Sequence, residues 1–469
     1  MAANNVAKKV ALLVASVSSF ITPFLGSSMN IALPAIDKEF GMGVVYLSWV
    51  ITSYLLASAV FLVPFGRIAD IYGRKKIFLY GTITFTVGSL LAVFAPNAHL
   101  LLATRVVQGL GSAMVFGTGV AILISVYPLH ERGKALGINV ASVYLGLSLG
   151  PTLGGFFTHY LGWRSIFMAT VVLGIIVIIL VLSKLKGEWV EAAGEKFDLA
   201  GSLFYGVMVL ALMYGFSKVP SPFGFLLLAA GIAGLLFFIW WELRVESPVL
   251  EMRLFRRNLA FTFSNLAALI NYSATFAVGF ILSLYLQYVQ GYGEVMAGLI
   301  LICQPLVQAV FSPIAGRLSD RVEPRLVASL GMGFSAAGVT MLIALSQDTS
   351  PAYLIACLVL LGFGFGLFSS PNTNAVMSAV QKKYYGVASG IISTMRLLGQ
   401  MFSMGVVTLI FSVFLGGMQV APSNFPLFLK SIRLSFIIFA VLCVLGIAAS
   451  LARGKVHHEE GEPQQAPGQ

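Results

Sequence analysis

GRIADIYGRKK, from Gly66 to Lys76, and GRLSDRVEPRL, from Gly316 to Leu326, decide the fold. Each follows an apolar run, and their starts lie 250 residues apart, with Gly66/Gly316, Arg67/Arg317 and Asp70/Asp320 in register. The chain is therefore built as two related halves. Working outward from this pair, apolar runs of the ~20 residues needed to cross a bilayer core recur along the whole chain. About fourteen lie near 10–33, 45–66, 77–95, 99–126, 135–159, 164–183, 198–217, 222–242, 259–285, 295–315, 325–346, 351–372, 385–416 and 431–452.

Composition excludes an ordinary soluble domain. Hydrophobic residues make up 58% and charged residues 10%, against roughly 25% charged in soluble chains. The mean hydropathy is +0.91. The net charge of +11 forms no continuous stripe, so it reads as loop charge and not as a nucleic-acid surface. Cys303, Cys357 and Cys443 sit in apolar runs and imply no disulfide framework. The first run follows Lys8 and Lys9 but is too long for a signal peptide and ends in no small-x-small cleavage pattern, so it is read as a span.

Basic residues set the orientation. With fourteen spans, 22 Lys and Arg fall on the side of the N-terminus and 5 on the other, with Arg105 and Arg396 inside spans. The positive-inside rule places both termini in the cytoplasm. The expected organisation is a six-helix bundle over 1–183, a linker with two extra spans over 184–258, a second six-helix bundle over 259–453, and a disordered cytoplasmic tail over 454–469. The fold class is an all-α membrane protein, and a duplicated bundle of this kind is the build of an alternating-access carrier.

Three stretches carry more than span and turn. In the Gly66 loop, Gly66 and Gly73 permit close approach and a tight turn. Asp70 can accept from an opposing helix N-terminus, and Arg74, Lys75 and Lys76 hold the loop at the cytoplasmic surface. The second copy has Glu323-Pro324 where Gly73-Arg74 stands, so its grip is weaker. In RVVQGLG, Arg105 to Gly111, an in-span Arg costs about 2.5–3.5 kcal/mol unless it faces protein or water. It is expected to face the central cavity or the carbonyls of the first helix; a structural Arg that snorkels outward is the alternative. In GLSLGPTLGG, Gly146, Gly150 and Gly154 recur every fourth residue beside Pro151 and Gly155. That row gives a smooth packing face with a kink, expected at the contact between the halves near the outer side.

Together these stretches resemble the major facilitator superfamily. NIALP (Asn30–Pro34), YLQYVQGY (Tyr285–Tyr292), PNTNAVM (Pro371–Met377) and ASGIISTMRLLGQ (Ala388–Gln400) are similar to its fourteen-helix drug:proton antiporter branch. The resemblance implies efflux of drug-like amphipathic molecules by proton antiport, a plasma-membrane location, a monomer, no cofactor and no enzymatic step. It gives the Gly66 loop the role of a latch closing the cytoplasmic side, Arg105 a part in proton coupling, and the glycine stretch the mark of an exporter. Trp163, Arg164 and Phe167 match the family's stretch at the sixth helix.

One departure concerns the first helix, where the branch carries an acid before its N-x-A-L-P stretch. Here Gly26, Ser27 and Ser28 occupy those positions, and no Asp or Glu falls mid-span. This argues against coupling through a buried carboxylate and against multiply cationic drugs, and because both in-span charges are Arg, export of an anionic or neutral metabolite or lipid is the alternative. The substrate and coupling residues singled out are Arg105, Gln108, Asn30, Arg396 and Gln304; the latch and hinge residues are Gly66, Asp70, Gly73, Arg74, Gly146, Gly150, Pro151, Gly154, Gly155, Gly316 and Asp320. An enzyme would cluster nucleophiles, acids or ligands, and a receptor would add a folded soluble domain. Neither pattern is present. His457 and His458 belong to the polar tail and are not read as a metal site.

Overall fold

A computed structural model describes residues 2–245, 248–250, 252–319, 321–381 and 385–454. Fourteen helices long and apolar enough to span a membrane run through it. They are α1 (Lys8–Phe40), α2 (Val44–Tyr72), α3 (Arg74–Val93), α4 (Ala98–Val126), α5 (Glu131–Leu161), α6 (Arg164–Lys184), α7 (Leu199–Lys218), α8 (Pro222–Glu242), α9 (Leu259–Val289), α10 (Glu294–Ser319), α11 (Pro324–Leu342), α12 (Pro351–Ser378), α13 (Tyr385–Phe414) and α14 (Pro422–Ala452). No strand occurs among the described residues. Lipid offers the backbone no hydrogen-bond partner, so helices satisfying their own amides are the solution available to an open chain.

Local sequence sets the helix starts. Asn97 accepts from the Leu100 amide, Asp198 from Gly201, Ser221 from Gly224, Asn258 from Phe261 and Ser350 from Tyr353. Each cap satisfies an amide that the first turn leaves free. Pro222 and Pro351 stand in first turns, where no N–H is required.

α9 is the irregular element. It breaks at Phe276 and ends in a π-helical turn, Tyr285–Val289. That turn coincides with YLQYVQGY and aims Ser283, Gln287 and Tyr288 at α1. Single π-turns inside α-helices are frequent at functional positions.

Helices α1–α6 pack mainly on one another, as one bundle, and α9–α14 mainly on one another, as a second. α7 lies over the junction between them. Tyr205 donates to the Ala59 carbonyl of α2 at 3.0 Å, while Phe216 meets Phe402 of α13 edge-on, with centroids 5.9 Å apart. α8 covers α7 from outside and presents Phe223, Phe225, Leu226, Ile232 and Leu236 outward, as a lipid-facing helix does.

Candidate functional site

The ends of the two bundles remote from the N-terminus, the outer ends in the expected topology, are joined by a belt of hydrogen bonds. Ser283 of α9 donates to the Asn30 carbonyl and Gln287 to the Ile31 carbonyl, both on α1. Asp37 of α1, 5% exposed, accepts from the Tyr288 hydroxyl and from Gln419 Nε2 in the turn before α14. Ser48 of α2 and Thr408 of α13 share a bond of 2.8 Å, and the Val44 amide reaches the Met418 carbonyl at 3.3 Å. These bonds close the end of the junction remote from the N-terminus. One hydrogen bond crosses deeper, between Tyr144 of α5 and Ser312 of α10 at 2.9 Å.

α5 and α10 touch through their backbones. A Cβ at Gly155 would come within 2.5 Å of the Glu294 carbonyl oxygen, and one at Gly298 within 2.3 Å of the Pro151 carbonyl oxygen. Pro151 and Gly155 therefore make the inter-bundle contact. The row Gly146, Gly150 and Gly154 does not, contrary to expectation. Each of the three faces α1 of its own bundle, and a Cβ at Gly150 would lie 1.8 Å from Ser27 Oγ. Ser28 fills the gap by donating to the Gly150 carbonyl at 2.8 Å. The correction is one of helix face: at 3.6 residues per turn, positions 151 and 155 point about 100° away from 150 and 154.

The Gly66 loop is engaged, but with a different partner from the one expected. Asp70 accepts from Arg74 Nε at 2.9 Å, and Arg74 donates to both Glu191 oxygens at 2.7 and 2.6 Å and to Ser125 at 2.9 Å. The Asp70 carbonyl accepts from the Glu191 and Ala192 amides, the Arg74 amide donates to Trp189, and Arg67 pairs with Glu195. Glu188 Oε1 accepts from the Lys75 amide at 2.8 Å. The α6–α7 segment thus straps this loop, and the partners of Asp70 are no opposing helix N-terminus. Gly73 sits at φ +119°, a conformation that favours glycine. Gly66 has open space where a Cβ would be; the close approach there is made by Gly117 against its backbone. A Cβ at Gly316 would meet Ser370 Oγ at 2.7 Å, and Asp320 lies outside the described residues.

The in-span arginines differ in their surroundings. Arg105 is 1% exposed inside the first bundle. Its Nε donates to the Val50 carbonyl at 2.9 Å and its Nη1 to Gln108 Oε1 at 2.6 Å, and its guanidinium lies 4.6 Å from the Tyr54 ring centroid. Gln108 passes on to Ser89, and Tyr54 to Ser112. The carbonyl it finds belongs to α2, not to the first helix, and neither Arg105 nor Gln108 reaches the space between the bundles. Arg396 does. It is half-buried on α13, 5.2 Å from the Tyr272 ring centroid of α9. Ser369 of α12 and Tyr144 of α5 neighbour the same tyrosine. Asn30 lies at the outer belt, with Gly279 against its amide; Gln304 packs its backbone on Gly362. Among the described residues no group of three or more His, Cys, Asp and Glu could hold a metal ion.

Comparison with known proteins decides the family. The model of the Major Facilitator Superfamily matches residues 15–241 and 264–468. The chain belongs to the major facilitator superfamily. It is 34% identical to the multidrug resistance protein Stp of Mycobacterium tuberculosis, over 81% of this chain and 71% of that one. It is 33% identical to the cephamycin export protein CmcT of Amycolatopsis lactamdurans, over 84% and 83% of the two, and 28% identical to the riboflavin transporter RibZ of Clostridioides difficile, over 94% and 96%. With fourteen spans it is similar to the drug-efflux type of the superfamily. The crystal structure of a bacterial homologue of the lysosomal transporter Spinster, inward-facing and unoccupied, shares the fold with a TM-score of 0.67 at 16% identity, over 95% of this chain and 97% of that one.

Within the superfamily fold, three features were missed from sequence. Asp37 stands three residues from the end of α1, yet it accepts from the second bundle through Tyr288 and Gln419. Arg453 follows the last span and adjoins the polar tail, but it is 2% exposed and binds Asn372 Oδ1, Ser450 Oγ and the Pro324 carbonyl at 3.0–3.1 Å and Ser264 Oγ at 3.3 Å. Burial pulls its guanidinium down to about 10, so it stays charged at neutral pH. The strap acids Glu188, Glu191 and Glu195 lie between α6 and α7 and belong to no motif. Their only signal was position, three acids facing a basic loop across the membrane surface.

Proposed function

We propose that the chain is a secondary active transporter that exports amphipathic, drug-like molecules from the cytoplasm across the cell membrane by alternating access, driven by proton antiport. The observation that carries this reading is the asymmetry of the junction between the bundles. Its outer end is sealed by the belt around Asp37, while the Gly66 loop at the cytoplasmic end is bound by its own strap. A carrier in this state exchanges substrate with the cytoplasm. The exporters among its relatives support the direction, and the basic excess of the inner loops supports cytoplasmic termini.

Asp37 is the residue we assign to coupling. It is buried between bundles when the outer side is shut and would meet external water when that side opens. Tyr288 and Gln419 face it from the second bundle, and its charged neighbours Lys38 and Glu39 are exposed, Glu39 being held by Arg164 and Trp163. The test is efflux from cells expressing the chain, across anionic, neutral, monocationic and dicationic amphiphiles, with and without a protonophore. Protonophore-sensitive efflux is expected, lost in Asp37→Asn. Efflux indifferent to the protonophore would remove proton antiport. Reconstituted protein that moves none of the compounds would remove the exporter reading.

A further inference from the structure

We infer that Arg396 is the anion anchor of the substrate site, and that the molecule carried is an aromatic acid: a flat apolar body bearing a carboxylate, sulfonate or phosphate. This rests on the transport reading above and names the substrate class.

Charge placement makes the first part of the argument. Every Asp and Glu within a described span lies within three residues of its end: Asp37, Glu39, Asp70, Glu131, Glu242 and Glu294. The middle of the membrane holds no acid, so a cation bound there would be desolvated without compensation. Arg396 stands at that depth, twelfth of thirty residues in α13. It makes no ion pair with a described carboxylate, and its Nε is buried without a hydrogen-bond partner. Arg105 offers a contrast, since its donors are used by a carbonyl and an amide of its own bundle.

Surroundings make the second part. Arg396 lies against Tyr272 of α9, which in turn neighbours Ser369 of α12 and Tyr144 of α5, so its guanidinium stands beside the junction of the two bundles. Guanidinium groups bind planar anions through paired donors and stack on rings. Tyr272 lies edge-on to Phe365, with centroids 5.3 Å apart, so a largely buried aromatic pair stands beside the guanidinium. An unneutralised arginine inside a membrane marks a ligand path unless it is spent on structure. Arg396 spends part of its fork on Tyr272 and leaves its Nε without a partner.

The experiment measures equilibrium affinity of the purified full chain in nanodiscs, from concentration-dependent thermal stabilisation. Three probes share one body: naphthoate, its methyl ester, and naphthylmethylamine. Naphthoate should bind the tightest and the ammonium the weakest. Arg396→Gln should weaken naphthoate by about tenfold or more, as loss of one charge-assisted hydrogen bond does, and leave the ester within about twofold. Arg396→Lys, which keeps the charge and guards against a folding defect, should retain the preference for the acid. The inference is overturned by equal affinity for all three, by the ammonium ahead of the acid, by equal loss of all three in Arg396→Gln, or by no naphthoate binding at millimolar concentration. Flux decides the transport reading separately, so the anion assignment can fail while that reading stands.

Discussion

Arg105 shows how a buried charge can be held without a counter-ion. A carbonyl, an amide oxygen and an aromatic face surround it, all within one bundle, and such partners compensate a guanidinium that lipid could not. Its removal leaves the Gln108 oxygen without its donor, takes a second donor from the Val50 carbonyl and opens a cavity, so Arg105→Ala should cost roughly 2–4 kcal/mol of stability, seen as a lower melting temperature in detergent. A variant as stable as the wild type but dead in transport would return Arg105 to the coupling machinery. Arg453→Ala should behave alike, since it strips Asn372, Ser264 and the start of α11 of one shared donor. Asp37→Ala should instead spare stability and loosen the outer belt. Ser283→Cys in a background lacking the native cysteines should then react faster with an impermeant thiol reagent than the same position beside intact Asp37. No change in rate would separate Asp37 from the gate.

Among the elements, α5 carries two packing faces that one row of small residues concealed. Gly150→Leu has no room against Ser27 and should yield misfolded protein. Gly155→Leu presses on α10 of the other bundle and should yield folded protein whose exchange is abolished. Folding defects of equal severity would contradict the division of faces. The strap makes a second test: Glu191→Gln removes the bidentate partner of Arg74 and should shift transport without loss of expression, as should Asp70→Asn. Span positions, the turn at Gly73 and the repeat were legible in sequence because apolar length, a basic loop and glycine spacing are local signals. Which neighbour a helix face meets is not local. Periodicity put Gly146, Gly150 and Gly154 on one face, but nothing in it chose between α1 and α10. Arg453, beside a polar tail, and Asp37, beside exposed Lys38, likewise looked like surface charge because their partners lie far along the chain.

For the whole molecule, the expected topology puts Ser221 and Ser423 outside and Ser183 inside. Single cysteines at the first two should label from outside intact cells, and one at Ser183 should not. Alternating access makes a stronger demand, because the two ends of the junction must move in opposite senses. Spin labels at Lys134 and Ser378 report the cytoplasmic ends of the two bundles, and labels at Phe94 and Asp348 the outer ends, all four positions being exposed. Electron–electron distance measurements in nanodiscs should find the outer pair at one short distance in the wild type. In Asp37→Ala the outer pair should lengthen while the cytoplasmic pair shortens by a matching fraction of molecules. Distances that stay fixed at both ends, or an outer pair that lengthens while the cytoplasmic pair does not respond, would contradict the account.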